Sequence, residues 1–141
     1  PRIICEAFMS ESDGSPLRDY KLFTFNGETK YIAVEFARQG DNRINFYDAE
    51  WNFQPEKHTF PGNDPLFAVA RPACLDEMKS LAKKLASGFP MCRVDFYVLG
   101  ERGVVFGELT FTPGKGCNDF SPQSFCDELG GYVVLPEKGY V

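Results

Sequence analysis

Residues 89–114 read FPMCRVDFYVLGERGVVFGELTFTPG, and this stretch decides the fold. Two arms rich in apolar and aromatic residues flank the tight turn LGERG, a pattern that predicts an antiparallel strand pair. Side chains alternate between faces along a strand. Arg93 and Asp95 therefore share one side of the first arm, and Glu108 and Thr110 share one side of the second. Antiparallel pairing brings Asp95 up to Glu108. Two facing carboxylates repel unless a cation joins them.

Two readings fit this spacing. One is an ion-paired solvent face of a half-buried sheet, which alternating sequences commonly produce. The other is a cation site. The apolar flanks VDFYV and VVFGELTF favour the second, because an acid in such strands is costly unless something pairs it. Every candidate ligand offers oxygen, so the matching ion is hard, Mg2+ or Mn2+, carrying phosphate. Glu108 could bridge two such ions and Asp95 could hold one, while Arg93 suits a phosphate or carboxylate oxygen.

N-terminal to this pair, Leu75, Met78, Leu81, Ala82 and Leu85 recur at helical spacing, which predicts a helix over 75–87 packed on a sheet. Asp76 and Glu77 in its first turn and Lys83 and Lys84 in its last complement the helix dipole, and Gly88 followed by Pro90 stops it. Segments 20–26 and 29–37 predict a hairpin around Asn26-Gly27, with Lys21, Phe23 and Phe25 on one face. Residues 42–50 predict a further strand, and residues 2–9, RIICEAFM, another. Loops are expected at 10–19, with its Asp13-Gly14 and Ser15-Pro16 turn signals, and at 52–65, with three prolines. His58 stands in the second loop without a Cys or carboxylate partner set, which makes it a surface residue. Beyond the core pair, Lys115 sits in a Gly-bounded loop as a candidate for phosphate or an acidic acceptor. Ser121-Pro122 predicts an N-cap and first helical residue for a short helix to Leu129.

Composition narrows the class. With 141 residues, 43% hydrophobic and 15% aromatic, the chain can bury one real core. Its net charge of -5, without a Lys/Arg block, argues against nucleic acid or an anionic membrane as partner. Five cysteines without C-x-x-C spacing argue against a zinc knuckle and fit free thiols in a reducing cytoplasm. No apolar run reaches eighteen residues.

DYKLFTFNGETKYI at 19–32, NFYDAEWN at 45–52, LDEMKSLAKKLASGFPMCRVDFYV at 75–98 and GELTFTPGKG at 107–116 together resemble the C-terminal half of an ATP-grasp enzyme. The resemblance is narrower still to the polysaccharide-biosynthesis branch named after the teichuronopeptide protein TupA. It implies an ATP-grasp lobe of α+β class, a mostly antiparallel sheet with one main covering helix, as a single partial domain over 1–141 of a longer protein whose N-terminal lobe lies elsewhere. It also implies ATP and Mg2+ as cofactors. Arg93 matches an arginine that helps hold phosphate, Asp95 the first metal-binding acid and Glu108 the bridging one. Lys21 is placed at the nucleotide phosphates, and Glu6 matches an acid of the hinge that reads the adenine edge. Thr110 departs from the asparagine usual in the E-x-N-x-x-P-G strand end, which puts the second metal position in question. The implied activity is a carboxylate–amine ligase of cell-surface polysaccharide biosynthesis working through an acylphosphate, with a carboxylate-bearing sugar and an amine as substrates and the chain alone inactive. A glycosyltransferase-like or phosphotransferase enzyme and a noncatalytic nucleotide- or metal-binding module are the alternatives.

Overall fold

The computed structural model describes residues 2, 3, 5, 7–10, 14, 16–38, 41–116 and 119–137, with the side chains of 38 and 101 left aside. Five strands form one sheet: β1 (Asp19–Phe25), β2 (Glu28–Arg38), β3 (Asp41–Asp48), β4 (Met91–Leu99) and β5 (Gly103–Thr110). Their order is β3-β2-β1-β4-β5, with every neighbouring pair antiparallel. The helix α1 (Leu75–Leu85) and the helix α2 (Gln123–Gly131) lie on opposite faces.

Strand alternation explains that division. Leu22, Ile32, Val34, Tyr47, Val94 and Phe96 meet Leu75, Met78 and Ala82 of α1. Their neighbours in the sequence, Phe23, Phe25, Tyr31 and Phe46, meet Phe125 and Leu129 of α2 on the other side. Both faces of the central strands are thus apolar, as a sheet covered twice requires. The expected covering helix is α1, and α2 covers part of the second face. Leu85, expected in the α1 stripe, is instead 38% exposed at the last turn.

The turns follow their residues. Asn26 and Gly27 both take positive φ, 49° and 81°, so β1 and β2 join through the predicted tight hairpin. Between β4 and β5 a single 3-10 turn, Gly100–Arg102, is followed by Gly103 at φ 70°. Two expectations are corrected. The described residues of 2–9 form no strand, and Ile3 and Phe8 stand 91% and 94% exposed. Glu6 lies outside the described residues. At the other end, Ser121 does not cap α2: Pro122, with extended backbone, is the N-cap and makes no side-chain capping bond, while Ser121 pairs with His58 in an isolated bridge. His58 is exposed, as expected.

The irregular stretch between β3 and α1 is tied down by polar groups from β3. Buried Asn45 donates to the carbonyls of Phe67, at 2.6 Å, and Asp64, and accepts from the Asp64 amide. Trp51 stacks on Tyr47 with ring centroids 4.5 Å apart. The same stretch is also fastened to α2. Lys57 donates to Glu128 at 2.8 Å and to the Tyr31 hydroxyl, while Tyr31 and Tyr132 both donate to Glu128. Lys57 sits 4.3 Å from the centre of the Tyr31 ring as well.

These contacts shift Glu128 and Tyr132 in opposite directions. Burial works to raise the Glu128 carboxyl, but the donors Lys57, Tyr31 and Tyr132 outweigh it and leave the group below its usual range. The bond to Glu128 pushes Tyr132 up to about 12. A carboxyl depressed in the folded state contributes stability that is present above the unfolded value of 4.5 and is lost as pH falls through the folded one. Urea denaturation should therefore show Glu128→Gln less stable than the parent at pH 7 by about 1–2 kcal/mol. That difference should shrink on acidification below pH 4.5. A pH-independent difference would mean that charge at Glu128 is not what fastens α2.

Candidate functional site

The α2 face of the sheet is apolar at one end and charged at the other. Along β1 the residues on that face are Asp19, Lys21, Phe23 and Phe25. Across β4 they stand opposite Tyr97, Asp95, Arg93 and Met91 in turn. Arg93 in its turn faces Thr110 on β5, and Glu35 of β2 faces Asp19. Register alone therefore collects Asp19, Lys21, Glu35, Arg93, Asp95, Glu108 and Thr110 beyond the end of α2.

A bulge completes the arrangement. The β4–β5 register slips between Val94 and Phe96, whose partners are Leu109 and Phe106. Gly107 and Glu108 thus both stand against Asp95, and the extra residue keeps Glu108 on the charged face beside Thr110. Gly107 has to be small: a Cβ there would lie 3.1 Å from the Asp95 carbonyl oxygen and 3.1 Å from the Tyr97 ring.

Arg93 is the hub. Its Nε donates to Asp95 Oδ1 at 2.8 Å and its Nη2 to Asp95 Oδ2 at 2.6 Å, a bidentate pair. The same Nη2 reaches Glu108 Oε1 at 3.0 Å and Thr110 Oγ1 at 3.1 Å. Thr110 Oγ1 donates to Glu108 Oε1 at 2.8 Å. Lys21 Nζ adds a bond to Asp95 Oδ2 at 3.3 Å, pairs with Asp19 and lies 3.5 Å from Glu35 Oε2. Asp95 is nearly sealed, with 2% of its side chain exposed, whereas Glu108 is open at 63%.

The electrostatics follow from these contacts. Burial opposes the charge on Lys21, but the bond to Asp19 and the field of Asp95 prevail and hold the ammonium above the usual lysine range. Burial likewise opposes the charge on Arg93 and is outweighed by Asp95 and Glu108. The Thr110 bond is the main influence lowering the Glu108 carboxyl, with Arg93 adding to it. Asp19 moves the other way, pushed up by burial, and its Oδ1 is buried without a hydrogen-bond partner.

Of the residues singled out in the sequence, Lys21, Arg93, Asp95, Glu108 and Thr110 come together, while Lys115 lies on the exposed Pro113–Gly116 turn. Asp19, Glu35 and Tyr97 were missed. Asp19 lies two residues before Lys21 and Tyr97 two after Asp95, so period two alone would have placed both on this face. Glu35 needed the hairpin register counted back from Asn26-Gly27.

A family model described as TupA-like ATPgrasp matches residues 1–134. The chain belongs to the TupA-like ATP-grasp family. Neither the curated proteins nor the solved structures compared with it include a match. Membership accords with ligase-type chemistry in general, and ATP-grasp ligases typically use ATP and Mg2+. No helix among the described residues is long and apolar enough to cross a membrane.

Among the described residues, no group of three or more His, Cys, Asp or Glu side chains is placed to hold a metal ion. The donor set nevertheless fits a hard cation that receives its other ligands from phosphate and water. Asp95, Glu108 and Thr110 offer only oxygen, one guanidinium nitrogen holds both carboxylates close, and Glu108 is open to solvent. The orphan oxygen of Asp19 is a further acceptor on the same face.

Removing the hub should expose how much the acids depend on it. Arg93→Met should destabilise the fold by about 3 kcal/mol, because nearly buried Asp95 loses its bidentate partner and, among the described residues, keeps Lys21 as its cation. Adding Asp95→Asn should recover more than about 1 kcal/mol of that loss in a double-mutant cycle read by chemical denaturation. Strictly additive effects would mean that the pair is energetically independent.

Proposed function

We propose that the charged face is the phosphoryl-transfer centre of an ATP-dependent carboxylate–amine ligase, and that this chain supplies the C-terminal lobe of that enzyme. The observation carrying this reading is the convergence of Lys21, Arg93, Asp95 and Glu108 on one sheet face in a chain that matches the TupA-like family. Cell-surface polysaccharide biosynthesis, with a sugar carboxylate such as a uronate as the activated acid, is the setting that the family resemblance suggests.

In this reading a substrate carboxylate oxygen bonds to the γ-phosphorus as the bond to the β,γ-bridging oxygen breaks, giving ADP and an acylphosphate. An amine nitrogen then bonds to the acyl carbon, inorganic phosphate departs, and the amine's surplus proton passes to solvent. No protein nucleophile is required. The burden on the chain is to position the reactants and balance the charge spreading over phosphoryl oxygens. Lys21 and Arg93 provide fixed positive charge for those oxygens, and neighbouring acids keep both protonated. Asp95, Glu108 and, more weakly, Thr110 would hold Mg2+ or Mn2+, which when bound neutralises phosphate charge.

An apolar pocket of about 540 Å³, lined by Phe8, Met9, Leu17 and Tyr97, adjoins the Asp19 end of the charged face. It is of a size and character that suit a nucleotide base. Its position between Tyr97 and residues 7–9 supports the expectation that backbone groups of this N-terminal segment read the adenine edge.

One observation favours a noncatalytic module instead. Arg93 already satisfies both carboxylates, as it would in a purely structural ion-paired face. Nucleotide titration separates the two readings. Lys21→Met should weaken Mg·ATP binding by about tenfold or more, the loss of one charge-assisted contact. In the complete enzyme, Glu108→Gln should abolish most metal-dependent phosphate release while leaving the fold intact, and Thr110→Asn should be tolerated. Unchanged affinity of Lys21→Met for both ATP and ADP would favour the structural reading.

A further inference from the structure

One nitrogen of Arg93 touches all three side chains that the ligase reading gives to the metal. Nη2 lies 2.6 Å from Asp95 Oδ2, 3.0 Å from Glu108 Oε1 and 3.1 Å from Thr110 Oγ1. The oxygens on which it converges are filled. A carboxylate oxygen has two lone pairs. Asp95 Oδ2 accepts from Arg93 and, at 3.3 Å, from Lys21, while Glu108 Oε1 accepts from Arg93 and, at 2.8 Å, from the Thr110 hydroxyl. A cation joining Asp95 to Glu108 through these oxygens would have to take lone pairs from Nη2. It would also meet the full positive charge of the guanidinium beside a carboxylate that is nearly sealed from water.

We propose that Nη2 of Arg93 is the resident cation of this site, and that a divalent ion enters by exchanging with it as phosphate takes over the guanidinium. The inference rests on the metal assignment made above and adds to it the order of events. The bonding of Arg93 shows which contacts yield. Nη2 carries two hydrogens and serves three acceptors, so at least one of its bonds is shared. The contacts to Glu108 and Thr110 are the longer ones, and Glu108 is the member open to solvent. Nε, by contrast, gives its single hydrogen to Asp95 Oδ1 at 2.8 Å. The guanidinium therefore turns about its Nε bond, releases Glu108 and Thr110, and carries the freed hydrogens to phosphate oxygens. A bare ion gains little, because the charged hydrogen bonds that it breaks offset the ligands that it wins. An ion arriving on a nucleotide brings the acceptors that Nη2 needs next.

Two measurements made without nucleotide test the exchange. Titration with Mn2+, read by the electron paramagnetic resonance of the free ion, should show Arg93→Gln binding at least about tenfold more tightly than the parent, because the charged hydrogen bonds opposing the ion are gone. Adding Glu108→Gln should cancel that gain, which fixes the ion to this site. In the parent, side-chain NMR during addition of excess Mg2+ should show the Arg93 Nη2 and Glu108 carboxyl signals moving together while the Arg93 Nε proton stays hydrogen-bonded. Mn2+ affinity in folded Arg93→Gln that is no higher than the parent's, or a gain that survives Glu108→Gln, would overturn the exchange. Where Arg93→Gln does not fold, the parent titration decides: a Glu108 response with Nη2 unmoved, or no response from either group, would overturn it. Titration of the parent with Mg·ATP tests the ligase reading separately. Failure of the nucleotide to bind, with the Mn2+ gain of Arg93→Gln intact, would count against that reading and not against the exchange.

Discussion

The guanidinium of Arg93 is the interaction on which this face of the molecule depends. It holds Asp95 in a bidentate pair and reaches Glu108 and Thr110 across the bulge, so that β4 and β5 are joined by side chains as well as by their backbone ladder. Burying a carboxylate as completely as Asp95 would be strongly unfavourable without such a partner. Lys21 answers the remaining charge from β1. Three strands are thereby locked at one register, since a slip of one residue would turn every one of these groups to the other face.

The same charge pattern separates two kinds of surface. Toward α2 the sheet face is filled by Phe23, Phe25, Tyr31 and Phe46, with Phe120 and Phe125 packed edge-on to Phe46. Toward Tyr97 it is acidic overall and partly open. The Lys57–Glu128–Tyr31 contacts matter here because they fix α2, which covers the apolar end of this face.

Much of this was legible in the sequence because the governing patterns are local. Asn26-Gly27 specified a hairpin through its positive φ angles, and the helical recurrence of Leu75, Met78 and Ala82 specified α1. Period two placed Arg93 with Asp95 and Glu108 with Thr110. What escaped depends on distant partners. Glu35 joins the cluster only through β1–β2 register, and the bulge at Gly107 arises from close approach to the Asp95 backbone and the Tyr97 ring. The segment 2–9 has the composition of a strand, yet its described residues pair with no strand of the sheet, and propensity without such a partner does not make a strand. Ser121-Pro122 has the composition of a cap, but the pairing of Ser121 with His58 draws that residue away from the helix.

The central claim is that the β4–β5 acids and Lys21 surround nucleotide-bound metal. Paramagnetic relaxation measured by amide NMR, with Mn2+ and a nonhydrolysable ATP analogue added together, locates such an ion directly. The account predicts that broadening centres on residues 93–95 and 107–110, extends to Lys21 on β1, and requires the nucleotide, because only part of the coordination comes from the chain. Broadening centred elsewhere on the sheet, or none at nucleotide saturation, would contradict it.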